Sequence, residues 1–375
     1  MIKVVHSVSI MNRAGQETFL MNVYRNIDRT KIQFDFQCSE KGKGDYDDEI
    51  RRLGGHLTYL SDNKIKIPYL SYIGDIYAQY KFFKFHRGYD VFHIHTYHAF
   101  NAWLLIVGAK AGGIKHIVLH SHNSQGMHPR LHKLFRPLLN RMHIQRYACS
   151  ELAAQWMYGS KALRSGNIKI VKNGIIPEEF AFSEAKRREK RRELNVENEI
   201  VLGHIGRFGV QKNHSFLIDI FSEFVKIVPQ AKLLLIGEGE LRNSIQEKVN
   251  RLGLQDKVSF LGVREDIREI LWAMDVFVFP SLYEGLSVVA IEAQAAGVPI
   301  LAADTLSDET KITDCLHFYS LDASPHDWAE RLRELCKEKH LLTTEAIKKA
   351  GYDIRETAEM LANDYQNIIM RKDGM

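Results

Sequence analysis

Two short segments in the second half of this 375-residue chain carry the residue types best suited to chemistry. In GHIGRFGVQKN (203–213), Arg207 and Lys212 stand in a glycine-rich loop directly after an apolar run, with Gly206 at its start. Arginine offers a planar fork of donors and lysine a point charge, so the pair suits phosphate oxygens. In PSLYEGLSVVAIEAQAAGVP (280–299), Glu284 closes a loop, Gly285 follows, and Glu292 lies eight residues after Glu284. A helix starting near Leu286 aims its free N–H groups back toward that loop, a setting for an anion. Glu292 then falls two turns along, among Val288, Val289, Ala290, Ile291 and Ala293. A carboxylate in apolar surroundings needs a partner, and a ligand hydroxyl would serve. The plainer readings are surface cations and a helix-face glutamate with a backbone or lysine partner.

The first half offers a looser set. The segment MNRAGQET (11–18) follows an apolar run, and Gly15 lets backbone approach a ligand at a helix start. It is neither GxGxxG nor GxxxxGK[ST], so an ordinary strand-to-helix turn reads equally well. Two HxH pairs, His93/His95 in HIHTYH (93–98) and His120/His122 in HSH (120–122), end two β-branched runs. That spacing suits a metal-dependent hydrolase; the plainer reading packs His93 and His120 against a sheet. Cys38, Cys149, Cys315 and Cys336 form no CxxC pair, so no zinc framework is indicated.

Alternating elements must position these residues. Strand candidates at 3–9, 33–38, 57–60, 91–95, 117–120, 147–150 and 169–171 alternate with helix candidates at 71–86, 99–111, 131–143 and 151–158. The second half repeats the pattern, with strands at 200–205, 232–236, 258–260, 276–280, 299–302 and 316–319. Helices there fall at 214–228, 240–252, 267–273, 286–296 and 325–337. Two such runs predict an α/β protein of two doubly wound parallel sheets. The breakers Asn173, Gly174 and Pro177 put the boundary within 173–199.

Charge narrows the partners. Lys+Arg 51 against Asp+Glu 46 leaves +5, too small a surplus to argue for nucleic acid. Part of it sits in 128–146, which has five Lys/Arg and no acid, while Leu131, Leu134, Phe135, Leu138, Leu139 and Met142 recur at helical spacing. That pattern fits a helix on an anionic membrane surface, or one whose apolar stripe packs on a sheet. The run KRREKRRE (186–193) reads as a solvated helix with Glu189 and Glu193 as counter-charges. No apolar run reaches 18 residues and the N-terminus lacks a signal-peptide pattern, so a cytoplasmic location is expected, peripheral on the inner face of the membrane if 128–146 binds lipid.

Taken together, the motifs resemble the retaining glycosyltransferases of family 4. That family's E-x7-E element is matched by Glu284 and Glu292, and its G-R-x(n)-K element by Gly206, Arg207 and Lys212. VKNGI (171–175), LLLIGEG (233–239), FLG (260–262), AMDVFVFPS (273–281) and EAQAAGVP (292–299) resemble further family segments. The resemblance implies the GT-B fold: an acceptor-binding Rossmann-like domain at 1–175 facing, across a cleft, a nucleotide-sugar-binding one at 176–355. A helix at 356–375 returns to the first. It implies transfer of a hexose or N-acetylhexosamine from a nucleoside diphosphate sugar, UDP-sugar foremost, to a glycan or polyprenyl-linked acceptor in exopolysaccharide or capsule assembly. Arg207 and Lys212 would hold the diphosphate, Glu292 the ribose, and Glu284 the donor sugar. Amides at Gly285, Leu286, Ser287 and Val288 would meet the phosphates, with Gly15 approaching them, and the base would lie near Gly237 and Val263. His122 would sit by the reactive carbon, with His95 and His120 on the acceptor side. No cofactor and no metal are expected. A non-catalytic sugar-binding subunit of the same fold is the further alternative. Two departures stand out: Ala14 replaces a glycine of the N-terminal loop, and ADTLSDET (303–310), with Glu309, stands in place of the GG-x-x-E loop.

Overall fold

The computed structural model describes residues 1–60, 70–284 and 286–370. The chain forms two compact units, 1–174 with 354–375, and 175–353. Each is built on one fully parallel sheet. In the first, β1 (Ile2–Val8), β2 (Ile32–Cys38), β3 (Leu57–Tyr59), β4 (Val91–His95), β5 (His116–Ser121), β6 (Gln145–Ala148) and β7 (Lys169–Ile170) run in the order β3-β2-β1-β4-β5-β6-β7. In the second, β8 (Ile200–Ile205), β9 (Ala231–Ile236), β10 (Val258–Gly262), β11 (Val276–Phe279), β12 (Ile300–Ala303) and β13 (Leu316–Tyr319) run in the order β10-β9-β8-β11-β12-β13. Both are the doubly wound architecture that the alternation of apolar runs and helices predicts. Strand order reverses between β1 and β4 in one unit and between β8 and β11 in the other. Open α/β sheets bind ligands beyond the carboxyl ends of the strands at such a reversal.

The strands are nearly continuous apolar runs because helices cover both faces. All five residues of β4 are buried, its two histidines included. Helix ends follow local chemistry. Gly113, at φ 101°, ends the helix Ala99–Gly112 in the left-handed region. Ser324 and Asp327 make a reciprocal capping box at the start of Pro325–Leu335.

Three expectations need adjusting. The strand expected at 147–150 is β6, two residues earlier, because Ser150 caps the next helix and accepts from the Ala153 N–H at 3.2 Å. The helix expected at 286–296 begins at Val288. The charged helix, Glu184–Glu193, is not solvated all round. Lys190 and Arg191 are buried; Lys190 Nζ reaches Asp266 at 2.7 Å and Arg191 reaches Asp275 at 3.2 Å. Arg187 donates to the Trp272 and Met274 carbonyls and to Asp275. Three cations of the run thus hold backbone carbonyls and carboxylates of the second unit. Four-residue spacing shows counter-charges within a helix but not partners some 80 residues away in sequence.

The C-terminal helix, Ile354–Met370, groups with the first unit. Its fully buried Tyr365 lies 2.7 Å from His93 Nδ1, and Asp364 takes Lys169 at 2.6 Å and the Tyr147 hydroxyl at 2.8 Å. Among the described residues no helix is long and apolar enough to cross a membrane.

Candidate active site

The β8–β11 reversal gathers the charged residues of the second unit. After β8 the chain must turn sharply against its neighbours, and glycine permits it. A Cβ on Gly237, at φ 131°, would fall 2.2 Å from the Gly206 carbonyl oxygen. One on Gly206 would meet the aliphatic stem of Lys212 at 2.9 Å. The close approach lays the loop after β8 along the loop after β9: Gly206 N–H donates to Ile236 at 2.9 Å and Phe208 N–H to Glu238 at 3.0 Å. Gly237 N–H donates to Gly262 at 2.8 Å, bringing the Gly237 turn beside the turn that carries Val263, which is half exposed.

Lys212 ends a short 3-10 turn, Val210–Lys212, and points its ammonium at Glu284 Oε1, 2.7 Å away. The same Nζ stands 4.6 Å from the Phe279 ring centroid. Both partners are largely buried, with side-chain exposures of 14% and 8%. Two more bonds tie the loops together: Leu282 N–H to the Gln211 carbonyl at 2.8 Å, and Gln211 Nε2 to the Tyr283 carbonyl at 2.9 Å. The structure therefore joins the G-R-x(n)-K loop to the first glutamate of E-x7-E through backbone bonds and an ion pair. Arg207 differs. Its guanidinium is 78% exposed and meets Glu240 at 3.1 Å.

Ser287 precedes the helix Val288–Ala295, whose first amides have no partner within the helix. Leu286 and Ser287 are buried, and Gly285 lies outside the described residues. Glu292 sits on this helix among buried Ala290, Ile291 and Ala293, and desolvation pushes its carboxyl up to about 7. Among the described residues no side chain or amide bonds the Glu292 carboxylate. Ser281, missed in the sequence, is also fully buried at the β11 end, and its hydroxyl has no protein partner among the described residues.

The β1–β4 reversal of the first unit gathers imidazoles instead. His93 and His95 are two apart on β4 and so share a face of the sheet, and His120 and His122 stand in the same relation at the end of β5. Register sets His95 opposite His120 and His93 opposite His6 of β1. His6 went unremarked in the sequence because it has no HxH partner of its own. All five rings are buried. His6 Nδ1 lies 2.9 Å from His95 Nε2, and His95 Nδ1 lies 2.9 Å from His122 Nε2. Desolvation holds His6 and His122 down to about 3 and the other three well below the ordinary histidine value, so all are neutral. His120 has no exposed surface and offers an acceptor nothing directly; His95 and His122 keep a small exposed edge.

Gly15 opens the helix Gly15–Asn26, and a Cβ there would meet nothing within 4 Å. The protein's own packing does not demand glycine at this position. Two residues on, Glu17 is buried and pushed up to about 7 by desolvation. Glu309 lies in the 3-10 turn Asp308–Thr310, capped by Ser307.

Comparison with known proteins assigns both units. The family model for glycosyl transferases group 1 matches residues 186–353, and that for Glycosyltransferase Family 4 matches residues 13–179. A Bacillus subtilis (strain 168) protein named as a glycosyltransferase, EpsF, is 32% identical over 382 residues, covering 99% of this chain and 98% of its own length. An Escherichia coli UDP-Gal:alpha-D-GlcNAc-diphosphoundecaprenol alpha-1,3-galactosyltransferase is 24% identical over 325 residues, covering 81% and 79%. The crystal structure of Anabaena HepE in complex with UDP and glucose superposes with a TM-score of 0.78 at 20% identity, covering 98% and 100%. With motifs, two doubly wound sheets and a full-length relative in agreement, the chain belongs to the family 4 glycosyltransferases of the GT-B fold.

Proposed function

We propose that this glycosyltransferase moves a hexose or N-acetylhexosamine from a nucleoside diphosphate sugar, UDP-sugar foremost, to a sugar hydroxyl of a glycan or polyprenyl-linked acceptor, with retained anomeric configuration, in exopolysaccharide or capsule assembly. The observation that carries this reading is the Lys212–Glu284 pair at the β8–β11 reversal, beside the N-terminal amides of the helix Val288–Ala295. A diphosphate competes with Glu284 for Lys212, and Glu284 faces the donor sugar. Arg207, paired with the exposed Glu240, can turn to the same phosphates. Glu292 takes the ribose hydroxyls, and Gly237 and Val263 flank the base. The UDP bound by HepE and the UDP-Gal and diphosphoundecaprenol in the E. coli relative's name support the donor and acceptor classes.

In the proposed step the bond from C1 to the β-phosphate oxygen breaks and the bond from C1 to the acceptor oxygen forms on the same face. The acceptor proton passes to the departing phosphate. Arg207, Lys212 and the helix amides stabilise the charge that develops on that phosphate, so the diphosphate itself needs no metal. No side chain is assigned as a covalent nucleophile. His122 and Gly15 keep the roles the family implies, an imidazole near the reactive carbon and backbone near the phosphate. Membership of the family replaces the hydrolase reading of the HxH pairs. Product analysis by NMR tests the reaction: an anomeric proton coupling that matches the donor's supports retention, and the opposite anomer refutes it.

The helix Pro129–Asn140 is proposed as the face that meets anionic lipid. Leu139 is buried and Phe135 packs on Phe100 and Trp103, whereas Leu134 and Leu138 face outward beside the exposed Arg130 and Lys133. Cations and leucines on one exposed face suit a headgroup layer, with each cation contributing about 1 kcal/mol. A lipid-linked acceptor would make such docking useful.

A further inference from the structure

The five imidazoles of the first unit pose a proton-counting problem that the transfer reaction does not solve. A neutral imidazole has one N–H and one lone pair. His6, His95 and His122 form a chain through two 2.9 Å contacts. In either direction of donation, one end of that chain is an N–H with no acceptor and the other a lone pair with no donor, because His6 Nε2 and His122 Nδ1 have no partner among the described residues. His120 adds two more such nitrogens and His93 Nε2 a fifth. Buried polar atoms left in this way are costly and point to a missing ligand. One ring nitrogen from each of His95, His120 and His122 lies within 4.8 Å of the other two, and the same holds for His6, His93 and His95.

We infer that His95, His120 and His122 bind one divalent ion of the zinc, cobalt or nickel class, with His6 orienting His95 from the far side. An all-nitrogen donor set selects borderline metals over magnesium or calcium. Of the two triads, the one containing His122 keeps an exposed edge for metal access, since His95 is 7% and His122 8% exposed, while His6 and His93 are at 1%. Nitrogens on a tetrahedral ion with bonds of about 2.0–2.1 Å stand roughly 3.3 Å apart, so the His95 Nδ1–His122 Nε2 contact opens by only a few tenths of an ångström. With Nδ1 on the metal, His95 Nε2 carries its proton and donates to His6 Nδ1, the outer bond that commonly fixes a ligating imidazole. With Nε2 on the metal, His122 carries its proton on Nδ1 and becomes a fixed hydrogen-bond donor. The ion is held by residues of the first unit alone, and the expectation that the chain needs no metal is revised on this point alone.

The test strips the full-length protein with a chelator and titrates it with Co²⁺ alone. One equivalent should bind and give the visible ligand-field absorption of a four-coordinate site, and Zn²⁺ should displace it. X-ray absorption at the zinc edge of the reloaded protein should show three imidazoles at about 2.0–2.1 Å. His6→Phe keeps the ring volume and all three ligands and should weaken Co²⁺ binding about 10–100-fold, while His120→Phe should abolish the band. The inference fails if the folded wild-type protein takes up no stoichiometric Co²⁺. It fails equally if oxygen or sulfur dominates the zinc environment, or if His120→Phe with wild-type circular dichroism binds as before. Should His120→Phe not fold, the wild-type zinc-edge spectrum decides.

Discussion

The two sheet reversals have the same topology and opposite chemistry. At β8–β11, charged side chains stand on loops and are held by one another, as Lys212 is by Glu284 and Arg207 by Glu240. At β1–β4, uncharged imidazoles stand in or at the ends of strands, packed ring on ring with centroids 4.1–5.7 Å apart where His120 meets His122 and Phe19 meets the same His122. The difference teaches where displaceable partners can be kept. A loop lets a ligand's phosphate replace a carboxylate at little structural cost. Strand register fixes His6, His93, His95 and His120 before any ligand arrives, so the ring nitrogens of His6, His93 and His120 that have no partner among the described residues call for something that fits between them.

The largest effect should come from removing the buried cation. Lys212→Ala should lower kcat/KM for sugar transfer about 10²–10³-fold, as expected for an electrostatic stabiliser of a leaving group, and steady-state kinetics with saturating acceptor would read it. Near-wild-type turnover would erase the contrast between the reversals. Arg207→Ala should fall at the lower end of that range, because its guanidinium starts exposed and has farther to travel; a loss exceeding that of Lys212→Ala would reverse their ranking.

Next comes Glu292. Burial raises its carboxyl to about 7 in the folded chain, above the ordinary value of 4.5. The folded state therefore favours the neutral acid, and stability is lost as pH rises from the ordinary value through about 7. Glu292→Gln should melt with the wild type at pH 4 and about 4–8 °C above it at pH 8 without nucleotide. A melting difference that does not change with pH would mean the carboxylate is satisfied in the empty site. The smallest effect should be on the lipid face: reversing Arg130, Lys133 and Arg136 should weaken binding to anionic vesicles in a salt-dependent way and leave transfer to a soluble acceptor analogue unchanged. Unchanged vesicle binding would remove the membrane proposal and leave the two sites untouched.

Much of this was legible in the sequence because it is local. Apolar runs and breakers placed every strand to within two residues, and the E-x7-E and G-R-x(n)-K spacings named the loops that the structure ties together. What was hidden depends on contacts distant in the chain. His6 is a lone histidine in β1, and only sheet register sets it against His93. The salt bridge of Lys212 to Glu284 spans 72 residues. Lys190 and Arg191 look solvated until Asp266 and Asp275 are brought to them. The apolar setting of Glu292 was readable from its neighbours; that no partner for its carboxylate lies among the described residues was not.

The central claim is that the β8–β11 reversal holds a nucleoside diphosphate sugar. Isothermal titration of the full-length protein with UDP-glucose, and with the GDP and ADP sugars as competitors, tests it directly. One molecule should bind per chain, UDP should compete, and Lys212→Ala should weaken binding while His95→Phe does not abolish it. Binding of no nucleotide sugar by the folded protein, or binding unaffected by Lys212→Ala together with Arg207→Ala, would contradict the account. Tight binding without transfer to any acceptor would instead identify a sugar-binding subunit of the same fold.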